Sequence, residues 1–128
     1  MKEIVSTKNA PEAIGPYSQA IKANGFLFVS GQLAITPETC QMEATDAVAQ
    51  THQIMKNIKA ILDEEGLTFD DVVKTTIYMI DLKEFQRVNI AYGSYFSEGN
   101  FPARSTVQVS ALPKGAKIEI EAIAALKS

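Results

Sequence analysis

The sequence predicts an α+β fold: a mixed β-sheet with two helices packed on one face, in the order β-β-β-α-β-α-β-β. Three observations carry that prediction. Asn24-Gly25 joins two strand-forming runs, the strongest short signal for a hairpin. "ATDAVAQTHQIMKNIKAILDEEG" carries an apolar stripe at helical spacing. The last third alternates apolar and polar residues with period two, in "RSTVQVS" and "KIEIEAIAA".

Taken in order, "KEIVST" is a short first strand, and "NAPEAIGPYS" is a loop with two prolines and a glycine. "QAIKANGFLFVSGQLAI" holds the hairpin; Phe26 to Ser30 is apolar on both faces, which places it centrally in its sheet. After the turn "TPETCQME" comes the first helix. It buries Ala47, Thr51, Ile54, Ile58, Ile61 and Leu62, solvates Gln50, His52, Gln53, Lys56 and Lys59, and stops at Gly66.

"DVVKTTIYMI" is rich in branched residues and returns to strand. Asp81 with Glu84 forms a capping-box-like start for a second helix, "LKEFQRVNIAYGSYF", which buries Leu82, Phe85, Val88 and Tyr92 before "SEGNFP" ends it. "ARSTVQVSA" and "KIEIEAIAAL" follow, linked by "LPKGA", and this short link predicts an antiparallel pair. With both helices on one face, the other face has no cover, and self-association is the natural remedy.

Composition narrows the function classes. The chain has 128 residues, fitting one domain over 1–128, with 46% hydrophobic and 21% charged residues. The net charge of −3 and scattered Lys and Arg argue against a nucleic-acid partner, whose phosphates select a basic stripe. No run approaches the ~20 apolar residues of a membrane span. The N-terminus lacks the apolar stretch of a signal peptide, and the single cysteine, Cys40, excludes an internal disulfide, so the expected setting is cytoplasmic. With one histidine, a nucleophile-histidine system would have to use His52, and Cys and His are too few for a zinc site. Enzymatic chemistry here rests on Arg, Glu, Asp, Tyr, Ser, Thr, Lys and water.

The richest segment is "FPARSTVQV". Arg104, Thr106 and Gln108 share one face of its strand, and in the next strand Glu119 and Glu121 lie opposite Ile118, Ile120 and Ala122. If the two strands pair, Arg104 and one glutamate share a sheet face. Two readings stand: a cross-strand ion pair on a solvated surface, or an arginine fork for a ligand carboxylate beside a glutamate that handles protons. Spacing alone does not choose. Tyr17, presented by Gly15-Pro16, is either a packing residue or a cleft residue. Ser30 and Gly31 end a buried strand, where Gly31 is either a plain bulge or a point of close ligand approach.

"AIGPYSQA", "FVSGQL", "KTTIYMIDL", "VNIAYGSYF" and "FPARSTVQVSALPKGAKIEIEAIA" together resemble the RidA (YjgF) family, from about Asn9 to the C-terminus and in the family's order. The resemblance implies a fold like that of the Bacillus-type chorismate mutase and a homotrimer with ligand clefts between subunits. It implies hydrolysis of reactive enamines and imines, such as 2-aminoacrylate, to 2-oxo acids and ammonia without metal or organic cofactor. On this likeness Arg104 binds the substrate carboxylate and Glu119 orients or activates water, while Tyr17, Ser30, Gly31 and Asn89 shape the cleft. Thr106 stands where many members carry cysteine, a position whose contact is thought to come largely from the main chain. Two other readings remain: a non-catalytic module that binds small carboxylates, and nucleic-acid cleavage, which the acidic balance disfavours.

Overall fold

A computed structural model describes residues 1–127. Six strands, β1 (Glu3–Val5), β2 (Ala20–Ala23), β3 (Phe26–Gln32), β4 (Val72–Met79), β5 (Ala103–Gln108) and β6 (Ile118–Ala125), form one sheet in the order β1-β2-β3-β6-β4-β5. Two helices, α1 (Ala47–Glu64) and α2 (Phe85–Gly93), accompany them. The β4–β5 pair is parallel and the other pairs are antiparallel, so the sheet is mixed as expected.

Local sequence explains the elements. Asn24 (φ 52°) and Gly25 (φ 84°) both take the left-handed backbone that a tight hairpin turn requires, closing β2 onto β3. Asp46 caps α1 by accepting from the Ala49 N–H at 2.8 Å. The six apolar-face residues expected in α1 are all buried. So is Gln50, which was expected on the solvated face: its Nε2 donates to Ala44 O and its Oε1 accepts from Lys117 N–H, tying the helix to the approach of β6. Asn57 is buried too and donates to the carbonyls of Leu33 and Ile35, holding α1 on the end of β3.

The second helical segment starts later than its pattern suggests. Asp81 caps a single 3₁₀ turn, Leu82–Glu84, and α2 proper begins at Phe85. Glu84 turns to pair with Arg87 rather than closing a capping box, and Leu82 is exposed instead of buried. His52, expected in solvent, is half-buried with its Nδ1 2.8 Å from the Tyr95 hydroxyl.

The expected β5–β6 hairpin does not form. β6 inserts between β3 and β4, and β5 lies at the sheet edge beside β4 alone. Burial accounts for the choice. Ile118, Ile120, Ala122 and Ala124 are all nearly inaccessible, so β6 takes the centre, whereas the polar β5 tolerates an edge. Parallel neighbours need a crossover, and α2 supplies it between β4 and β5.

The core lies between the sheet and the helices, with Leu27, Ile77, Met79, Ile118 and Ile120 meeting Ile54, Ile58, Ile61 and Leu62. Burying each such side chain contributes roughly 1.5–3 kcal/mol. The opposite sheet face is uncovered, as the pattern predicts: Ile4, Phe26, Phe28 and Val107 are exposed large apolar residues on it.

Candidate active site

Arg104 lies on the helix side of the sheet. Its register partner in β4 is Thr75, which is buried beneath α2. Its guanidinium carbon sits 5.3 Å from the Phe85 ring centre and 5.2 Å from that of Tyr92, and Nη1 donates to Asn89 Oδ1 at 2.6 Å. Positions 85, 89 and 92 fall on one face of α2, so a single helix face carries all three contacts. Arg104 belongs to none of the ion pairs among the described residues. A cavity of about 500 Å³ opens beside it, walled by Asn89, Ile90, Tyr92, Phe101 and Pro102. An exposed guanidinium that is held but not neutralised is suited to receive an anion.

Glu119 lies on the other face. Its register partner is Tyr78, which alternates with buried Thr75, Ile77 and Met79 and therefore points to the uncovered side. The carboxyl group rests against Gly31: a Cβ there would collide with Glu119 Oε2 and lie 2.9 Å from its Cδ. Gly31 is thus a point of close approach, next to the irregularity between Val29 and Gln32 in the β3–β6 ladder. Burial raises the Glu119 pKa above the ordinary glutamate value, and the neighbouring Glu121 charge raises it further. Glu121 itself accepts from the Tyr78 hydroxyl at 3.2 Å.

Ser30 adjoins Gly31 at the end of β3 and ties down the loop that carries Tyr17. The Ser30 hydroxyl donates to Ser18 O at 2.6 Å, and Gln19 O accepts from the Ser30 N–H, so the end of β3 pins the preceding loop. Buried Gln19 anchors that loop through Thr7, Ala10 and Pro11. Tyr17 is left exposed at its tip.

The predicted residues therefore form two groups. Arg104, Asn89 and Thr106 sit at the β5 edge on the helix side. Ser30, Gly31 and Glu119 sit around β3 and β6, with Glu119 on the uncovered side, and Tyr17 lies at the tip of the loop that Ser30 pins. Arg104 and Glu119 do not share a face as the hairpin expectation held. They are separated by two strand spacings, roughly 10 Å, by three residues along the strand, roughly 10 Å more, and by the sheet itself.

Thr106 carries the one buried side-chain hydroxyl without a partner among the described residues. Its main chain is better placed than its side chain. Val109 N–H donates to Met79 O, so strand alternation directs the backbone of residues 105 and 107 towards β4 and that of Arg104 and Thr106 to the open edge. Sequence reasoning placed Phe85 and Tyr92 in the core and missed their contact with Arg104. The spacing of Phe85, Asn89 and Tyr92 was the available signal.

The chain matches a family model described as Endoribonuclease L-PSP over residues 7–126. A 2-iminobutanoate/2-iminopropanoate deaminase of Escherichia coli is 47% identical, covering 97% of this chain and 98% of its own. A crystal structure of a Rid-family protein of unknown function from Yersinia pestis superposes with a TM-score of 0.95 at 52% identity, covering 98% of this chain and 100% of that one. The structure of Escherichia coli TdcF with bound serine gives 0.91 at 39% identity, covering 98% and 99%. With the sequence motifs, the mixed six-stranded sheet and these relatives in agreement, the chain belongs to the Endoribonuclease L-PSP, or YjgF/RidA, family.

Proposed function

We propose that this protein hydrolyses reactive 2-enamine and 2-imino acids, such as 2-aminoacrylate and 2-iminopropanoate, to 2-oxo acids and ammonia, and so protects pyridoxal-phosphate enzymes. The observation that carries the reading is Arg104, an exposed guanidinium stacked on two rings, bonded to Asn89 and paired with no carboxylate among the described residues. A small 2-imino acid offers the carboxylate that such a fork takes. The Thr106 N–H at the open edge can supply a further donor. That a relative of this length is named 2-iminobutanoate/2-iminopropanoate deaminase, and a longer one Reactive Intermediate Deaminase A, adds support.

Hydrolysis needs water at the imine carbon and a group to manage its proton. In this reading Glu119, ionised, takes one proton as water adds to C=N and delivers it to nitrogen, giving the carbinolamine. It then takes the carbinolamine hydroxyl proton and passes it to nitrogen as C=O forms, the C–N bond breaks and ammonia leaves. The pKa raised by burial makes it a better base than a solvated glutamate. Water is the sole co-reactant, and no cofactor is invoked.

Since one copy holds Arg104 and Glu119 on opposite faces, the proposed site forms between copies. The uncovered apolar face supplies the reason to associate. A cyclic homotrimer lets the Arg104 edge of one copy meet the Tyr17, Ser30, Gly31 and Glu119 group of the next, closing three equivalent clefts. The proposed setting is the cytoplasm, with Cys40 free.

The test couples the protein to a threonine dehydratase with semicarbazide present to trap free imine. The expected result is that the wild type diverts imine from the trap into 2-oxo acid and Arg104→Ala does not. If the wild type fails to compete with the trap, the enzymatic reading is wrong, and the cleft is a binding site for small carboxylates.

A further inference from the structure

Arg104, Thr75 and Tyr92 form a closed circuit. Arg104 and Thr75 are neighbours in the parallel β4–β5 pair. The Thr75 hydroxyl lies 2.6 Å from the Tyr92 hydroxyl. The Tyr92 ring then returns to the guanidinium at 5.2 Å. Both hydroxyl-bearing residues are buried, with 2% of Thr75 and 3% of Tyr92 exposed, so this bond is shielded from competing water. Behind the ring, Phe96 packs 4.9 Å from it, centre to centre.

We infer that Tyr92 is a positioning residue for the Arg104 fork, its ring held by Thr75 so that the guanidinium is aimed before ligand arrives. The inference rests on the reading of Arg104 as a carboxylate fork. An exposed arginine ordinarily samples many rotamers, and a ligand must then bear the cost of ordering it. A carboxylate partner would order it but would also neutralise the charge the ligand needs. Aromatic faces attract the cation without neutralising it. Asn89 uses one N–H and leaves four of the five guanidinium donors for other partners. Phe85 supplies the other ring, but it lacks a hydroxyl to fix its tilt. The tyrosine hydroxyl links the platform to the same strand pair that carries the arginine.

The experiment compares Tyr92→Leu, Tyr92→Phe, Phe85→Leu and Arg104→Ala as full chains. The readouts are kinetics on dehydratase-generated imine, calorimetric binding of 2-oxobutanoate and melting temperature. For Tyr92→Leu we expect KM and the Kd for 2-oxobutanoate to rise at least tenfold while kcat changes less than threefold. That split marks lost ground-state binding. Tyr92→Phe keeps the ring but loses its bond to Thr75, so KM should settle between wild type and Tyr92→Leu, about three- to fivefold above wild type. A merely structural tyrosine would lower the melting temperature or the active fraction, read as kcat, and leave KM alone.

If Tyr92→Leu does not fold, Tyr92→Phe carries the test through its smaller rise in KM, and Phe85→Leu, at a half-buried position, shows what loss of the other ring costs. Wild-type KM and Kd in Tyr92→Leu, or in Tyr92→Phe where it stands in, overturn the positioning role. They leave the fork intact provided Arg104→Ala abolishes binding. Undiminished 2-oxobutanoate binding by Arg104→Ala overturns the fork and the platform together.

Discussion

Arg104 and Glu119 project from opposite faces of the same sheet, two strands apart, because Arg104 pairs beside Thr75 and Glu119 beside Tyr78 on β4. No small imino acid can touch both within one copy. If the two act together, they do so across a boundary between copies, and that arrangement can be measured.

Mixing two inactive variants reads it directly. Arg104→Ala and Glu119→Ala should each lose imine hydrolysis. When unfolded together in equal amounts and refolded, random assembly leaves about a quarter of the clefts with both residues intact. Activity should return to about that fraction of wild type, in a particle of three times 13.9 kDa, about 42 kDa, by light scattering. No recovery, or a monomeric mass, excludes the shared cleft.

Arg104→Lys should not be conservative. An ammonium is a point charge and cannot present two parallel N–H groups to a carboxylate. A charge-assisted contact is worth about 1.5–3 kcal/mol, so kcat/KM should fall roughly 10- to 100-fold. Steady-state kinetics showing an unchanged value would rule out bidentate binding.

Gly31→Ala should separate fold from chemistry. The new methyl group collides with the Glu119 carboxyl, the free end of a side chain that can swing aside, rather than with backbone. The melting temperature should stay close to wild type while kcat drops roughly tenfold or more, since a displaced general base loses much of its ~10²–10⁴-fold contribution. An equal loss from Gly31→Ala in melting temperature and activity would point to a structural glycine only.

The raised pKa of Glu119 fixes two signs. Its folded pKa exceeds its unfolded one, so the native state holds the proton more tightly, and stability is lost as pH rises from the ordinary glutamate value, about 4, through the folded pKa. Glu119→Gln should therefore melt higher than wild type at pH 7, and the advantage should vanish below about pH 4. In activity, the acid limb of the wild-type kcat/KM profile should lie above the usual carboxylate range. An acid limb at the ordinary value would place the essential base elsewhere.

Thr106→Val should be neutral or slightly stabilising. The threonine hydroxyl is buried without a partner, and an isosteric methyl group removes that cost, about 1–3 kcal/mol at most. If the ligand meets the main chain of this residue, kcat/KM stays within about threefold of wild type. A tenfold loss would show that the hydroxyl itself meets the ligand.

Much was legible in the sequence by itself. Element type and turn position are local properties: the Asn24-Gly25 turn, the α1 stripe from Ala47 to Leu62 and the period-two strands all fold as their patterns say. The uncovered sheet face followed from counting apolar faces against available helices. The motifs around Tyr17, Ser30, Arg104 and Glu119 carried the family resemblance, and the comparisons bear out the family.

Only the tertiary structure decided which strands are neighbours and which residues meet. Strand pairing is a competition among edges for burial: the apolar β6 took the central place between β3 and β4, and β5 paired with β4 at the edge although the short link predicted β6 as its partner. That single exchange put Arg104 next to Thr75, under the reach of Phe85, Asn89 and Tyr92, and sent Glu119 to the other side against Gly31. Alternation along a strand tells which residues share its face, but register and strand order tell whose face lies next to it, and those depend on the packed whole.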